Sequence, residues 1–315
     1  MIREESKTVT QRIVVSAVLL ALMLCSTGCG STGPSLTGAE LTAKYPDKKY
    51  VQIEGVTLHY EQEGLGRPLV FLHGVFTSSF LWRNITPGLT YGHTIYSLDL
   101  MGFGFSEKPQ HLTYSPEVYV SQLGHFLDTL HLENPILVGH DIGAAIVALY
   151  TIRNPGKVRK LILMDAPLYP VSPPFSMKLL RIPVVGEQFT GEWFLKRALR
   201  DGVLNQAVMT ETGLDAYLKP YRDDPGARGA LLKCVREFDL QPLFAKEIHP
   251  GLAKIAIPTL VVWGDGDSYV PLDVGRKLDQ DIPASEFVVV LRSGHYVQEE
   301  RPEEVRAVVK EFLEK

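Results

Sequence analysis

Cysteine is scarce in this 315-residue chain, and two of its three cysteines, Cys25 and Cys29, fall within the first 30 residues. The folded body can therefore hold at most Cys234, which excludes a disulfide framework, and the Cys and His spacing suits no zinc site. Cys234 is expected as a small packed apolar residue. There is no block of Lys and Arg, and the net charge is -4, so nucleic acid is not an expected partner. No internal repeat is evident. Nothing calls for a metal or an organic cofactor.

What is present is the composition of a globular protein, 45% hydrophobic and 22% charged, with room for one large α/β domain carrying an inserted subdomain. The N-terminus stands apart. Arg3, Lys7 and Arg12 give a basic start, diluted by Glu4 and Glu5, before the almost unbroken apolar run Ile13 to Leu24. That run is short for a membrane span and suits the core of a signal peptide. The following Cys25-Ser26-Thr27-Gly28-Cys29 resembles a bacterial lipoprotein signal in which Cys29 becomes the lipidated first residue, although Ser26 stands where leucine is usual. An ordinary cleaved signal and an uncleaved anchor are the alternatives. All three place residues 1-29 in an export segment and the body outside the cytoplasm, either periplasmic or extracellular or held at a membrane.

Residues 30-48, rich in Ser, Thr, Gly and Lys, read as a linker. Beyond them an opening hairpin is expected around Gly55, followed by short apolar runs at Leu69–Leu72, Thr94–Leu98, Ile136–Val138, Leu161–Met164, Thr259–Trp263 and Phe287–Leu291. Helical patterns at Pro116–Leu130, Gly143–Asn154, Pro271–Leu278 and Pro302–Leu313 separate them. This alternation predicts a mostly parallel sheet buried on both faces. Between 167 and 248 it stops, and three helices are expected, at Gly191–Leu204, Leu214–Tyr221 and Ala227–Phe238. The expected organisation is a core of residues 49-166 and 249-315 with a helical lid, 167-248, over the strand ends, where open α/β sheets bind ligands.

The segment Ile136-Leu137-Val138-Gly139-His140-Asp141-Ile142-Gly143-Ala144-Ala145 carries the chemistry. An apolar strand runs into Gly-x-Asp-x-Gly and then a small-residue helix, the setting of a nucleophile elbow. The two glycines allow a tight turn, and the middle residue is forced out at a helix N-terminus, where free N–H groups favour negative charge. With His73-Gly74, Asp99 to Ser106, Gly264-Asp265-Gly266-Asp267 and Gly294-His295, the chain from about 50 to 313 resembles the α/β-hydrolase superfamily.

Asp141 in place of serine alters what the elbow can do. A carboxylate needs no deprotonation and can displace a leaving group from saturated carbon, giving an ester on Asp141 that water, activated by His295, then hydrolyses. By the resemblance, Asp267 orients His295, with Asp265 as the alternative, and the backbone N–H groups of Val75 and Ile142 hold the developing oxyanion. His140 is expected in the elbow packing and His73 in a structural role.

The stretch from His73 to Ile85 looks like the haloalkane dehalogenases, which with the epoxide hydrolases make up the Asp-nucleophile branch. Dehalogenases hold the halide with a Trp after the nucleophile and, in some members, an Asn after His-Gly; here those positions are Ile142 and Val75. Trp193 could serve as a replacement donor. Epoxide opening needs an acid, for which Tyr217 is the first candidate and Tyr221 and Tyr169 the others. The usual Tyr-Arg pair late in the lid appears as Val235-Arg236. The reading is an epoxide hydrolase-like enzyme acting with water on a small organic substrate. Haloalkane hydrolysis is the alternative, and a non-catalytic lidded binding protein the second.

Overall fold

The computed structural model describes residues 33–315. The expected signal segment and lipidation at Cys29 lie outside the described residues. Seven strands form one sheet: β1 Lys49–Ile53, β2 Val56–Leu72, β3 Tyr91–Leu98, β4 Ile136–His140, β5 Lys160–Met164, β6 Thr259–Gly264 and β7 Ser285–Val290. β1 pairs with β2 in antiparallel fashion around a turn in which Glu54 and Gly55 both have positive φ. β2 is longer than either run expected from the sequence, because the polar stretch Glu61–Pro68 stays extended between its two apolar ends. From β2 onward the order β2, β4, β5, β6, β7 is parallel throughout.

Leu69–Leu72, Leu137–Val138, Leu161–Met164 and Val261–Trp263 are all at zero exposure, as expected of parallel strands covered on both faces. The helix Ile142–Arg153 explains part of that burial. Its residues Ala144–Leu149 are also fully buried, so its small residues let it lie close against the sheet. Each large apolar side chain withdrawn in this way contributes roughly 1.5–3 kcal/mol. The helix Pro116–Thr129, started by Ser115 accepting from Val118 N–H and by Pro116 in the first turn, packs against it.

Between β5 and β6 the chain forms a wholly helical insertion: Phe175–Arg181, Val185–Gln188, Glu192–Asp201, Glu211–Asp223 and Ala227–Glu237, then short turns through Leu252. The first two helices were not expected from the sequence.

The linker expectation for 30-48 fails over its second half. Gly38–Lys44 is a helix with a capping box: Glu40 N–H donates to Thr37 Oγ1 at 3.4 Å and Thr37 N–H to Glu40 Oε2 at 2.7 Å. It is tied to the insertion rather than free. Leu36 N–H donates to Asp224 Oδ1 (3.3 Å), Lys44 Nζ to the Asp223 carbonyl (2.7 Å), and the Tyr45 hydroxyl to the Asp223 carboxylate. Among the described residues no helix is long and apolar enough to cross a membrane.

Candidate active site

Asp141 sits between β4 and the helix Ile142–Arg153 with φ 52° and ψ -125°, a left-handed conformation rare for a residue with a side chain. The turn is closed by Ala144 N–H and Ala145 N–H donating to the Asp141 carbonyl. Two glycines permit it. A Cβ on Gly143 would lie 2.4 Å from the Leu72 carbonyl oxygen, and one on Gly74 would lie 2.5 Å from the Asp141 Cβ. The second approach brings Val75 N–H to Asp141 Oδ2 at 3.0 Å. One carboxylate oxygen thus occupies the place where an oxyanion would be held.

Asp141 and His295 both line one cavity of about 200 Å³ beneath the insertion. Its walls are largely apolar, including Phe76, Val171, Met177, Val235 and Phe244, with Arg181 at one side. Burial raises the Asp141 carboxyl above the ordinary aspartate range, against the opposing pull of His295 and of the Val75 and Ile142 N–H groups.

His295 Nδ1 donates to Asp267 Oδ2 at 2.9 Å. Asp267 is itself held by Tyr269 N–H and Val270 N–H on Oδ1, at 2.7 and 3.0 Å. Burial pushes the imidazole pKa down, but the Asp267 carboxylate, aided by Asp141, carries it above the usual histidine value. Asp265 takes no part; it is exposed and caps Ser293 N–H.

Two further histidines brace this array. His140 stacks on His295 with ring centroids 4.6 Å apart, and its Nε2 donates to the His295 carbonyl at 2.9 Å. Burial and the neighbouring imidazole keep it neutral. His73 Nδ1 donates to the Gly74 carbonyl while Nε2 accepts from Leu100 N–H, which fixes the turn that presents Val75.

Sequence reasoning missed Asp165. It follows β5 with φ 47°, is fully buried, and lies beside Asp267 and His295. Its Oδ1 accepts from Gly264 N–H at 3.0 Å, while Oδ2 meets no donor among the described residues. Burial, then the neighbouring Asp267 carboxylate, push its carboxyl far upward, toward the neutral acid. The cluster has the elements of a cation site, but both Asp267 oxygens and His295 Nδ1 are already engaged with one another and with backbone amides, which suits an orienting array.

The tyrosine expectations need correction. The Tyr217 hydroxyl donates to Glu299 Oε1 at 2.5 Å, its ring packs edge-on against Phe80, and Tyr217 does not line the cavity. Tyr221 also lies outside it, its hydroxyl buried without a partner. Tyr169 lines the cavity but donates to Asp281. Trp193 is 58% exposed on the outer surface and cannot serve the cavity as a donor. Tyr269, also on the wall, donates to the Ala198 carbonyl. Tyr296, next to His295, lines the cavity with no hydrogen bond from its hydroxyl among the described residues. Cys234 is on the wall too, its thiol pushed up to about 12 by burial and therefore unreactive.

A family model described as "alpha/beta hydrolase fold" matches residues 67–302. The chain belongs to the alpha/beta hydrolase fold family. Relatives include a 2-hydroxy-6-oxononadienedioate/2-hydroxy-6-oxononatrienedioate hydrolase of Paraburkholderia xenovorans, 29% identical over 84% of this chain and 94% of its own length. A haloalkane dehalogenase of Mesorhizobium japonicum is 28% identical over 86% of this chain and 92% of its own. Among solved structures, the haloalkane dehalogenase DatA of Agrobacterium tumefaciens matches with a TM-score of 0.75 and 28% identity, over 84% of this chain and 95% of its own. This hydrolase thus has relatives named as haloalkane dehalogenases and as a 2-hydroxy-6-oxononadienedioate/2-hydroxy-6-oxononatrienedioate hydrolase.

Proposed function

We propose that this hydrolase opens epoxides through a covalent ester on Asp141. The observation that carries the reading is the seating of the carboxylate. Asp141 Oδ2 is held by Val75 N–H, so the other oxygen is the one available to a substrate in the cavity. Oδ1 attacks the less hindered epoxide carbon, the ring C–O bond breaks, and the alkoxide oxygen takes the proton of the Tyr296 hydroxyl. Water then loses a proton to His295 Nε2 and attacks Cγ of Asp141. The N–H groups of Val75 and Ile142 hold the tetrahedral anion, which collapses to diol and free carboxylate. The imidazolium returns its proton to the Tyr296 phenolate. Asp267, with Asp165 behind it, keeps Nδ1 protonated so that Nε2 faces the water.

The choice of leaving group follows from what lines the cavity. A halide departs without a proton but needs N–H donors, and Ile142 and Val75 offer no side-chain N–H. An alkoxide needs a proton, and Tyr296 has one uncommitted. Haloalkane hydrolysis is the second reading, favoured by the dehalogenase relatives and by Arg181 on the wall, a cation that could attend a halide.

The test is turnover by the full chain on a panel of alkyl and aryl epoxides and a panel of chloro- and bromoalkanes. The proposal expects diol formation that falls by two or more orders of magnitude (about 10²–10⁴-fold) in Tyr296→Phe, the range for loss of a general acid. Halide release with little diol, unaffected by Tyr296→Phe, would transfer the assignment to dehalogenation.

A further inference from the structure

The insertion exposes four large apolar side chains close together in sequence: Phe175 (74%), Ile182 (46%), Val184 (76%) and Trp193 (58%). They cluster along the first helices, with Phe189 edging the Trp193 ring. They are also held rigidly. Gly186 N–H donates to the Ile182 carbonyl at 2.8 Å, and Arg236 Nε to the Leu180 carbonyl at 3.1 Å. Val184 itself has φ 68°, a conformation that a β-branched side chain adopts only under constraint, yet it is turned outward. The same stretch carries Lys178 and Arg181 with no carboxylate partner among the described residues, while Lys196 and Arg200 pair with Glu211 and Arg197 with Asp201.

The path of the N-terminal chain supplies the second observation. Gly33 lies against Pro225, where an added Cβ would sit 2.9 Å from the proline Cβ, and Ser35 packs on Gly226. Leu36 N–H is bonded to Asp224. The described chain therefore begins seated on the helical insertion. Only three residues separate Gly33 from Cys29, a reach of at most about 14 Å when fully extended.

We propose that the exposed face of the insertion lies in the headgroup region of an anionic phospholipid bilayer, with Phe175, Ile182, Val184 and Trp193 at the acyl boundary and the basic residues among the headgroups. The proposal rests on reading the N-terminal segment as a membrane anchor. A body tethered at Cys29 would be held to the bilayer from the side of the insertion, where Gly33 and Ser35 are seated. Exposed apolar side chains flanked by Lys178 and Arg181, with a tryptophan among them, match an interfacial surface. The helix Phe175–Arg181 also supplies Met177 and Arg181 to the cavity wall, so the site opens beside the lipid. Substrates would then be apolar molecules that partition from the bilayer.

Trp193 provides a natural probe, because the other two tryptophans, Trp82 and Trp263, are at zero exposure. The full chain is reconstituted with vesicles of phosphatidylethanolamine and phosphatidylglycerol carrying dibrominated acyl chains, floated on a density gradient, and its tryptophan emission recorded. The expected result is co-flotation with loss of the emission component that Trp193→Phe removes, the variant itself floating normally. The paired substitution Phe175→Glu, Val184→Glu is expected to float and to unfold at an unchanged midpoint, but to lose the quenching. A chain that floats with Trp193 unquenched overturns the docked face while leaving the anchor intact. A chain that does not float overturns both. The optical readout needs no turnover, so neither result depends on the proposed reaction.

Discussion

Replacing Asp165 by Asn isolates the claim that this buried carboxyl keeps its proton. In the folded chain Asp165 is held protonated by burial and by the Asp267 anion, whereas an unfolded aspartate titrates near 4. A folded-state pKa raised above the unfolded value costs an acid nothing below pH ~4. Above it the cost grows by about 1.4 kcal/mol per pH unit, for as long as the folded chain keeps the proton that the unfolded chain gives up. At pH 7 the ceiling is about 4 kcal/mol. An asparagine keeps the hydrogen bond from Gly264 N–H through Oδ1 and has no proton to retain. After allowing for imperfect amide geometry, Asp165→Asn is expected to be more stable than the parent by about 1–3 kcal/mol at pH 7. It should show no gain at pH 4–5. Urea unfolding at four pH values between 5 and 8 measures the difference directly. A variant less stable than the parent at pH 7, or a difference that does not change with pH, would refute the retained proton.

Other outcomes follow from the same geometry. Gly143→Ala forces a methyl against the Leu72 carbonyl and should cost about 3 kcal/mol or prevent folding, read as soluble yield and unfolding midpoint. Tyr217→Phe removes a buried hydrogen bond onto Glu299, for a loss of about 1–3 kcal/mol in urea unfolding, but should leave turnover unchanged because the phenol is outside the cavity. The raised Asp141 pKa means that the carboxylate protonates, and alkylation fails, as pH falls through a value above the ordinary aspartate range; rapid-mixing kinetics against pH checks this. Ester formation discharges Asp141, which helps to raise the His295 pKa, so the acid limb of ester hydrolysis should lie below the His295 pKa measured by NMR in the free protein.

The sheet and the elbow were legible in the sequence because each imposes a local constraint that few residues satisfy. Buried parallel strands require unbroken apolar runs, and a turn that drives the Gly143 backbone against Leu72 admits only glycine. Asp165 went unread because it stands in no glycine motif and its partners, Asp267 and His295, are more than 100 residues away in sequence. A signal existed nonetheless. The neighbouring strands β4, β5 and β6 are each followed by a carboxylate: Asp141 and Asp165 directly after β4 and β5, and Asp265 and Asp267 in the turn after β6. The helix Gly38–Lys44 was equally readable, since Thr37 and Glu40 spell a capping box. Tyr217 was misplaced for a different reason. An amphipathic pattern says that one helix face is buried, but not against which neighbour, and here it is the Glu299 side rather than the cavity. Tyr296 acquires its place only when the insertion folds over β4 and the His295 loop, a long-range event that no local pattern records.

The central claim is that the Asp141 carboxylate itself bonds to substrate carbon. It is tested most directly by mass spectrometry of the His295→Gln variant after a single turnover, alongside the parent protein turned over in ¹⁸O water. The account predicts an intact substrate adduct on the peptide containing Asp141 in the variant, and ¹⁸O in the Asp141 carboxylate of the parent. Product carrying all of the heavy oxygen, with Asp141 unlabelled and unmodified, would contradict it.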